Sequence, residues 1–494
     1  MSQMEFEKNI QTAEHAIQEK REMVKMGKLR QRYHFMAESG WINDPNGLIY
    51  FRGQYHLFYQ FNPYEPVWGE MHWGHAVSSD LFHWTHLPVA LAPSEPYDSY
   101  ERGGCFSGTA IEYEGRLYLF YTGTGKDADG GVQTQCLAVS EDGITFKKYD
   151  KNPVIKVPDG YQACDFRDPK VWEHEGKFYL ICGAKKDGYA RLLLFRSDDL
   201  KHWEFFGVMA ESRGEWGEMW ECPDFYTLDG TDVLSFSPIG VGERKTIYMT
   251  GKMNYETGKF QCLKDGEADW GFDFYAPQTL KDEKGRRIMI GWAGSWDWMP
   301  WWKGHGPSEK EGWSGFFGLP REVRTAENGA LRFLPVEEVK LLRSKELLDR
   351  TEAVTEAGEP LKLPEADIYE LNLTVDRERT TAASCILKLR GGNGRHTGLI
   401  LDLKNMELKV DRNCSDGESC GVSRSVIYPE NPKTLDIRVF MDRCSVEVFA
   451  NGGKNVHTCR IYPAESQREN CLESVGGRLV VTGLQMWALA GTQK

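Results

Sequence analysis

Several absences narrow the class of this chain before any motif is considered. Its 12 cysteines include no Cys-x-x-Cys pair, which removes the usual spacing of a structural zinc site. The stretch Met1–Lys28 is rich in Glu, Lys and Gln and has no apolar core, so no secretory signal is read there. No apolar run is long enough to cross a bilayer. Positive charge is in deficit: 60 Lys and Arg against 73 Asp and Glu leave a net charge of −13. That balance excludes broad binding to nucleic acid or to an anionic membrane. Cysteines in a chain without a signal read as reduced thiols, and the expected location is cytoplasmic.

What is present points to a large all-β protein. At 494 residues two domains are the default. Phe6, Ile10, Ala13, Ile17 and Val24 recur at helical spacing between charges, predicting a helix from about Met4 to Leu29. From Tyr33 the pattern changes to short apolar runs separated by glycine turns. Gly53, Gly115, Gly176, Gly230 and Gly285 follow one another at intervals of roughly 55–60 residues, each before an aromatic-rich strand. A second hairpin recurs as Ala76–Trp84, Ala138–Phe146 and Leu194–Trp203, with a looser copy over Ile247–Phe260. Five units of about four strands cannot bury their faces alone and are expected to stack as a five-bladed β-propeller. Later strands, among them Leu371–Val375, Cys385–Leu389, Leu435–Phe440 and Leu479–Leu484, leave that pattern and predict a β-sandwich. The expected partition is an N-terminal helix over 1–32, the propeller over 33–335, a helical linker over 336–349 and the sandwich over 350–494.

One stretch near the start carries the chemistry: Trp41-Ile42-Asn43-Asp44-Pro45-Asn46-Gly47. Pro45 pushes Asp44 toward an extended conformation, and Asn46-Gly47 favours a tight turn. Taken alone, Asp44 is equally well a turn former. The repeat removes that ambiguity. Asp44, Asp168 and Glu221 each lie eight or nine residues before the turn glycine of their own unit, at the start of a first strand. In a propeller those strands line the central channel, so the three acids should converge. Converging carboxylates repel, which raises the pKa of at least one, and such clusters serve acid–base work, metal binding or sugar binding. Arg167 beside Asp168 would repel a cation, so no metal and no cofactor are expected. Paired carboxylates beside aromatics fit glycoside hydrolysis.

Trp41–Gly47 resembles the nucleophile motif of glycoside hydrolase family 32, the invertase and β-fructofuranosidase family. Phe106-Ser107-Gly108, Arg167-Asp168-Pro169 and Glu221-Cys222 resemble its other signatures in order, as do Tyr59–Pro63, Trp68-Gly69, Gly318–Glu322 and Met441–Phe449. The absent signal and Arg32-Tyr33-His34-Phe35 resemble the intracellular bacterial sucrose or sucrose-6-phosphate hydrolases. The resemblance implies a retaining enzyme that removes terminal β-fructofuranosyl units. Asp44 would be the nucleophile and Glu221 the acid/base. Asp168 would stabilise the transition state, with Arg167 keeping it ionised. Trp41, Ile42, Asn43, Gln60, Trp68, Phe106 and Ser107 would form the fructose site. Cys222 is either a tuner of Glu221 or a small buried residue. Trp292 follows the fifth inner strand and is expected to face the sugar. Trp296–Trp302 is either a leaving-group platform or loop packing. No phosphate-cradling glycine loop or dense basic cluster accompanies these motifs. A small sugar is the expected partner, and the sandwich is open to roles as homodimer contact, stabiliser or accessory sugar site. Fructosyl transfer to another sugar and non-catalytic sugar binding are the alternative activities.

Overall fold

The hairpin turns set the repeat. In a computed structural model describing residues 2–100, 103–127 and 130–492, all five turn glycines are left-handed, at φ between 75° and 81°. In four of the turns the preceding residue is left-handed as well: Arg52, Glu114, Glu175 and Asp229, at φ 49–52°. Two left-handed residues make the turn whose twist matches the strands it joins. Each turn links the two innermost strands of one antiparallel sheet.

There are five such sheets. Their inner strands are Gly40–Phe51, Gly104–Tyr113, Phe166–His174, Met219–Leu228 and Tyr275–Lys281. Each inner strand packs on the next, and the fifth returns to the first, as the blades of a β-propeller do. The parallel pairing of Gly40 and Trp41 with Trp313 and Ser314 ties the last blade's connection to the first blade. The second repeated hairpin also has a local cause. Asp80, Asp142 and Asp199 each cap the backbone N–H groups of the turn that follows, and each is bonded to the Ser two residues before. The left-handed position that Gly143 fills in the second copy is held by Leu81 and Leu200 in the others.

The N-terminal helix spans Ser2–Lys25 and buries Phe6, Ala13, Ile17 and Val24. It is shorter than the expected Met4–Leu29. After Gly27 the Glu311 carboxylate accepts the N–H groups of Lys28 and Leu29 and turns the chain away. The expected helical linker over 336–349 is shorter still. Only Glu337–Leu342 is helical, as a 3-10 turn, and Arg343–Thr355 is already a strand. That strand opens two six-stranded sheets, which enclose Leu371, Leu373, Leu387, Leu399, Val410 and Val439.

The propeller and the sandwich meet across buried charge. Segment 268–274 lies along the sandwich strand Asn455–Arg460, with Trp270 and Asp273 donating their N–H groups to the carbonyls of Val456 and Thr458. Arg321, fully buried, donates to Asp269 at 2.8 Å and Glu447 at 3.1 Å and lies 3.7 Å over the Phe274 ring. His34 bridges Asp442 at 2.9 Å and Glu447 at 2.7 Å. Burial opposes its charge, but hydrogen bonds to these two carboxylates outweigh that and raise its pKa to about 9. A histidine so raised contributes stability fully below its ordinary 6.5 and loses it as pH rises through 9. We therefore expect thermal melts to show Tm falling between pH 6.5 and 9.5. His34→Gln should lower Tm at pH 6.5, with a cost of about 3–5 kcal/mol for a broken buried pair, and should flatten that slope.

Candidate active site

All five inner strands are interrupted at the same place. Pairing with the second strand shifts register between Ile42 and Pro45, Phe106 and Gly108, Arg167 and Lys170, Glu221 and Asp224, and Tyr275 and Gln278. A bulge frees a residue from the ladder and re-aims its side chain. Here it turns Asp44, Ser107, Asp168, Glu221 and Tyr275 toward one region. Asp168, Cys222 and Ala276 carry positive φ at these bulges, a conformation non-glycine residues rarely adopt.

The carboxylates are bound into one network. Ser107 Oγ donates to Asp44 Oδ2 at 2.6 Å, and the Cys222 thiol lies 3.3 Å from the same oxygen. The Cys222 N–H donates to Asp168 Oδ2 at 2.8 Å, while the Asp168 N–H donates to Thr122 Oγ1 at 2.9 Å. Arg167 places Nε and Nη2 on Glu221 Oε1 at 3.1 and 2.9 Å and Nη1 on Asp165 at 3.0 Å. Tyr275 OH donates to Glu221 Oε2 at 2.6 Å. Of the two readings of Cys222, a tuner of Glu221 or a small buried residue, it is buried, and its thiol contacts Asp44 and Asp168 rather than Glu221.

Burial dominates the electrostatics. It pushes the Asp44 carboxyl up to about 6; the Ser107 hydrogen bond pulls it down and the charge of Glu221 adds to the rise. Burial likewise takes Asp168 up to about 7, the Arg167 charge opposing and the Glu221 and Asp44 charges adding. Arg167 favours the ionised form of Asp168, in the expected direction. Its guanidinium hydrogen-bonds Glu221 and Asp165, and its pull on Asp168 is smaller than the desolvation it opposes.

These groups face a cavity of about 600 Å³. Asn43, Asp44, Gln60, Trp68, Phe106, Ser107, Arg167, Asp168 and Glu221 all line it. Trp41, Ile42 and Trp292 do not; their exposures are 0%, 1% and 1%. Trp41 acts from behind, donating Nε1–H to Asn43 Oδ1 at 2.8 Å. Trp292 packs edge-on against Trp41 and tilted on Trp296, at 5.7 and 4.9 Å between ring centroids, so it backs the wall it was expected to form. Trp296, Asp297, Trp298 and Trp302 of the tryptophan-rich run reach the cavity, with His305 beyond them. Tyr275 was missed from sequence, although it sits at the start of the fifth first strand, roughly ten residues before Gly285. Gln133, Asp165 and His305 were missed too, and no spacing marks them.

Comparison with known proteins agrees with this geometry. Residues 34–335 match the model for the glycosyl hydrolases family 32 N-terminal domain, and residues 338–488 match the family 32 C-terminal model. A sucrose-6-phosphate hydrolase of Zymomonas mobilis is 35% identical over 92% of this chain and 91% of its own length. A raffinose invertase of Escherichia coli is 37% identical, over 92% and 94%. A mutant of the Bombyx mori GH32 β-fructofuranosidase in complex with sucrose superposes with a TM-score of 0.82 at 32% identity, over 98% of each chain. With both of its halves matched and its inner-strand acids gathered around one cavity, this chain belongs to glycoside hydrolase family 32.

Proposed function

We propose that this β-fructofuranosidase works by double displacement, with Asp44 as nucleophile and Glu221 as acid and then base. The observation that carries the reading is that both carboxylates face the same cavity while Asp44 is held by Ser107 and Cys222. Asp44 attacks C2 of a terminal β-fructofuranosyl unit as the C2–O bond breaks. Glu221 gives its proton to the departing oxygen. Water, deprotonated by Glu221, then attacks C2 and releases Asp44. This geometry calls for a carboxyl separation of about 5–5.5 Å. In the arrangement described, Arg167 and Tyr275 both donate to Glu221, which suits its base form. In the acid form the Oε2–H would donate a hydrogen bond to the Tyr275 oxygen until the departing oxygen takes the proton, since a phenol accepts as well as donates. Asp168 supports the oxocarbenium-like transition state by charge, and Asn43, Gln60, Trp68 and Phe106 enclose the fructose.

The substrate this reading favours is sucrose. Trp296 and Trp298 stack at 5.2 Å and 17°, a surface suited to a neutral sugar face. Acidic groups outnumber the single cation, Arg167, along the described wall, and Arg167 is already engaged. A cytoplasmic location agrees with twelve free thiols, and fractionation checks it. A homodimer through the sandwich would use the edge strand Val422–Val426, beside exposed Val426 and Tyr428; light scattering checks that.

Initial rates on sucrose, sucrose-6-phosphate and kestose test the reading, with sucrose expected to give the higher kcat/KM over its phosphate. Asp44→Asn should abolish turnover of all three. It should also stabilise the fold. A carboxyl raised from 3.8 to about 6 costs nothing when protonated below 3.8 and costs fully above 6. At 1.36 kcal/mol per pH unit the variant gains about 2–3 kcal/mol at pH 7.5, and that gain vanishes toward pH 4. For the same reason, wild-type kcat/KM should fall as pH drops below about 6. Tyr275→Phe removes a hydrogen bond to a charged group, worth about 1.5–3 kcal/mol, and should cut kcat/KM on sucrose by roughly 10- to 100-fold.

A further inference from the structure

The cavity has one wall that the propeller's own ladders do not hold. Residues 293–312 connect the second strand of the fifth blade to the Trp313–Ser314 clasp, and they contain no strand. Trp296, Asp297, Trp298, Trp302 and His305 of this connection line the active cavity. Its place in the reaction follows from Glu221. The departing oxygen must lie beside the acid, and Tyr275, which bonds Glu221, packs edge-on against Trp298 at 6.4 Å. The connection therefore borders the leaving group.

The part of this connection next to the cavity is held from outside by the sandwich, while Glu311 near its end is bonded to the N-terminal segment. Arg460 Nη1 and Tyr462 OH both donate to the His305 carbonyl, each at 3.0 Å. Arg460 Nη2 reaches Ser295 Oγ at 3.3 Å, at the other end of the same connection. Arg460 is itself fixed by Asp273, through its N–H and its Nε, both at 2.7 Å. Arg412 donates to the same Asp273 at 3.1 Å and to the Arg460 carbonyl at 3.0 Å. The fit against Tyr462 is close. Gly306 has φ 94°, and a Cβ there would fall 2.0 Å from the Tyr462 oxygen. On the cavity side the His305 ring stands edge-on against Trp41 at 4.3 Å and against Trp302 at 5.4 Å. A carbonyl pinned by the sandwich is thus one residue's width from the tryptophans that meet the sugar.

We propose that Tyr462 and Arg460 of the β-sandwich are positioning residues for the leaving-group wall, so that the sandwich sets which leaving sugars this propeller accepts. The inference rests on Glu221 being the acid, because that assignment places the leaving group beside this connection. The two residues touch neither the fructosyl unit nor the reacting atoms. Their loss should weaken discrimination between leaving groups more than it weakens attack at C2.

The test uses the full chain with Tyr462→Phe, which removes one hydrogen bond and keeps the ring and the Arg460–Asp273 pair. Arg460→Lys is the second variant. kcat/KM is measured on kestose, on sucrose and on methyl β-D-fructofuranoside, whose leaving group is too small to reach the tryptophans. The ratio of the sucrose value to the methyl fructoside value should fall at least fivefold in both variants, and KM for sucrose should rise more than kcat falls. A ratio within twofold of wild type overturns the proposal whether or not absolute rates drop, since a general loss of folded protein lowers all substrates alike. Wild-type protein that turns over none of the three overturns the enzymatic reading as well, which separates the two failures.

Discussion

The structure depends on taking negative charge out of water at the centre of a ring. Asp44 and Asp168 are 8% and 6% exposed, and Arg167 is, among the described residues, the one Arg or Lys side chain that lines the cavity with them and Glu221. Burial pushes both of these carboxyls up toward neutrality, and at Asp168 it outweighs the attraction of the Arg167 charge. The surrounding fold holds them there. Bulges at five equivalent places aim the side chains inward, and the Cys222 N–H, the Ser107 hydroxyl and the Tyr275 phenol supply the hydrogen bonds that water would have given. A raised Asp44 remains mostly ionised at neutral pH, which suits a nucleophile. The nearby charge of Glu221 adds to that rise.

The same arrangement explains what the sequence made legible. Turn glycines mark the repeat because the two-residue hairpin turn demands left-handed residues, a constraint that one sequence displays without any comparison. The acids could be aligned by their distance from those glycines because the bulge sits at a constant place in every blade. Tyr275 obeyed the same spacing and was overlooked because an aromatic at a strand start is ordinary in a β protein. Trp41, Ile42 and Trp292 were placed in the wall for the opposite reason. Ile42 neighbours the lining Asn43, but side chains alternate faces along a strand, so it packs behind; Trp41 is held to Asn43 from behind the wall, and Trp292 is covered by Trp41 and Trp296. Asp165 and His305 lie on connections outside the repeat, where spacing carries no information, and Gln133 lies on the third strand of the second blade, away from the inner strands that the repeat aligns.

Two of the longer motifs serve the interface between the domains rather than the chemistry. Gly318–Glu322 supplies Arg321, and Met441–Phe449 supplies Asp442 and Glu447; with His34 they form the buried charge cluster joining propeller to sandwich. Buried ion networks of this kind lose heavily if one member is removed, which makes the relative placement of the two domains specific. Arg460 and Tyr462 extend that placement as far as the cavity mouth. The sandwich is therefore coupled to the catalytic ring through hydrogen bonds and rings, beyond the area it covers.

The proposed covalent attack by Asp44 requires retention at C2. The most direct measurement is the anomeric form of the product when sucrose is turned over in the presence of methanol, read by NMR on the isolated methyl fructofuranoside. Because a methyl glycoside does not mutarotate, its configuration reports the displacement itself. Double displacement predicts methyl β-D-fructofuranoside; the α anomer would mean a single displacement, with Asp44 acting on water rather than on the sugar.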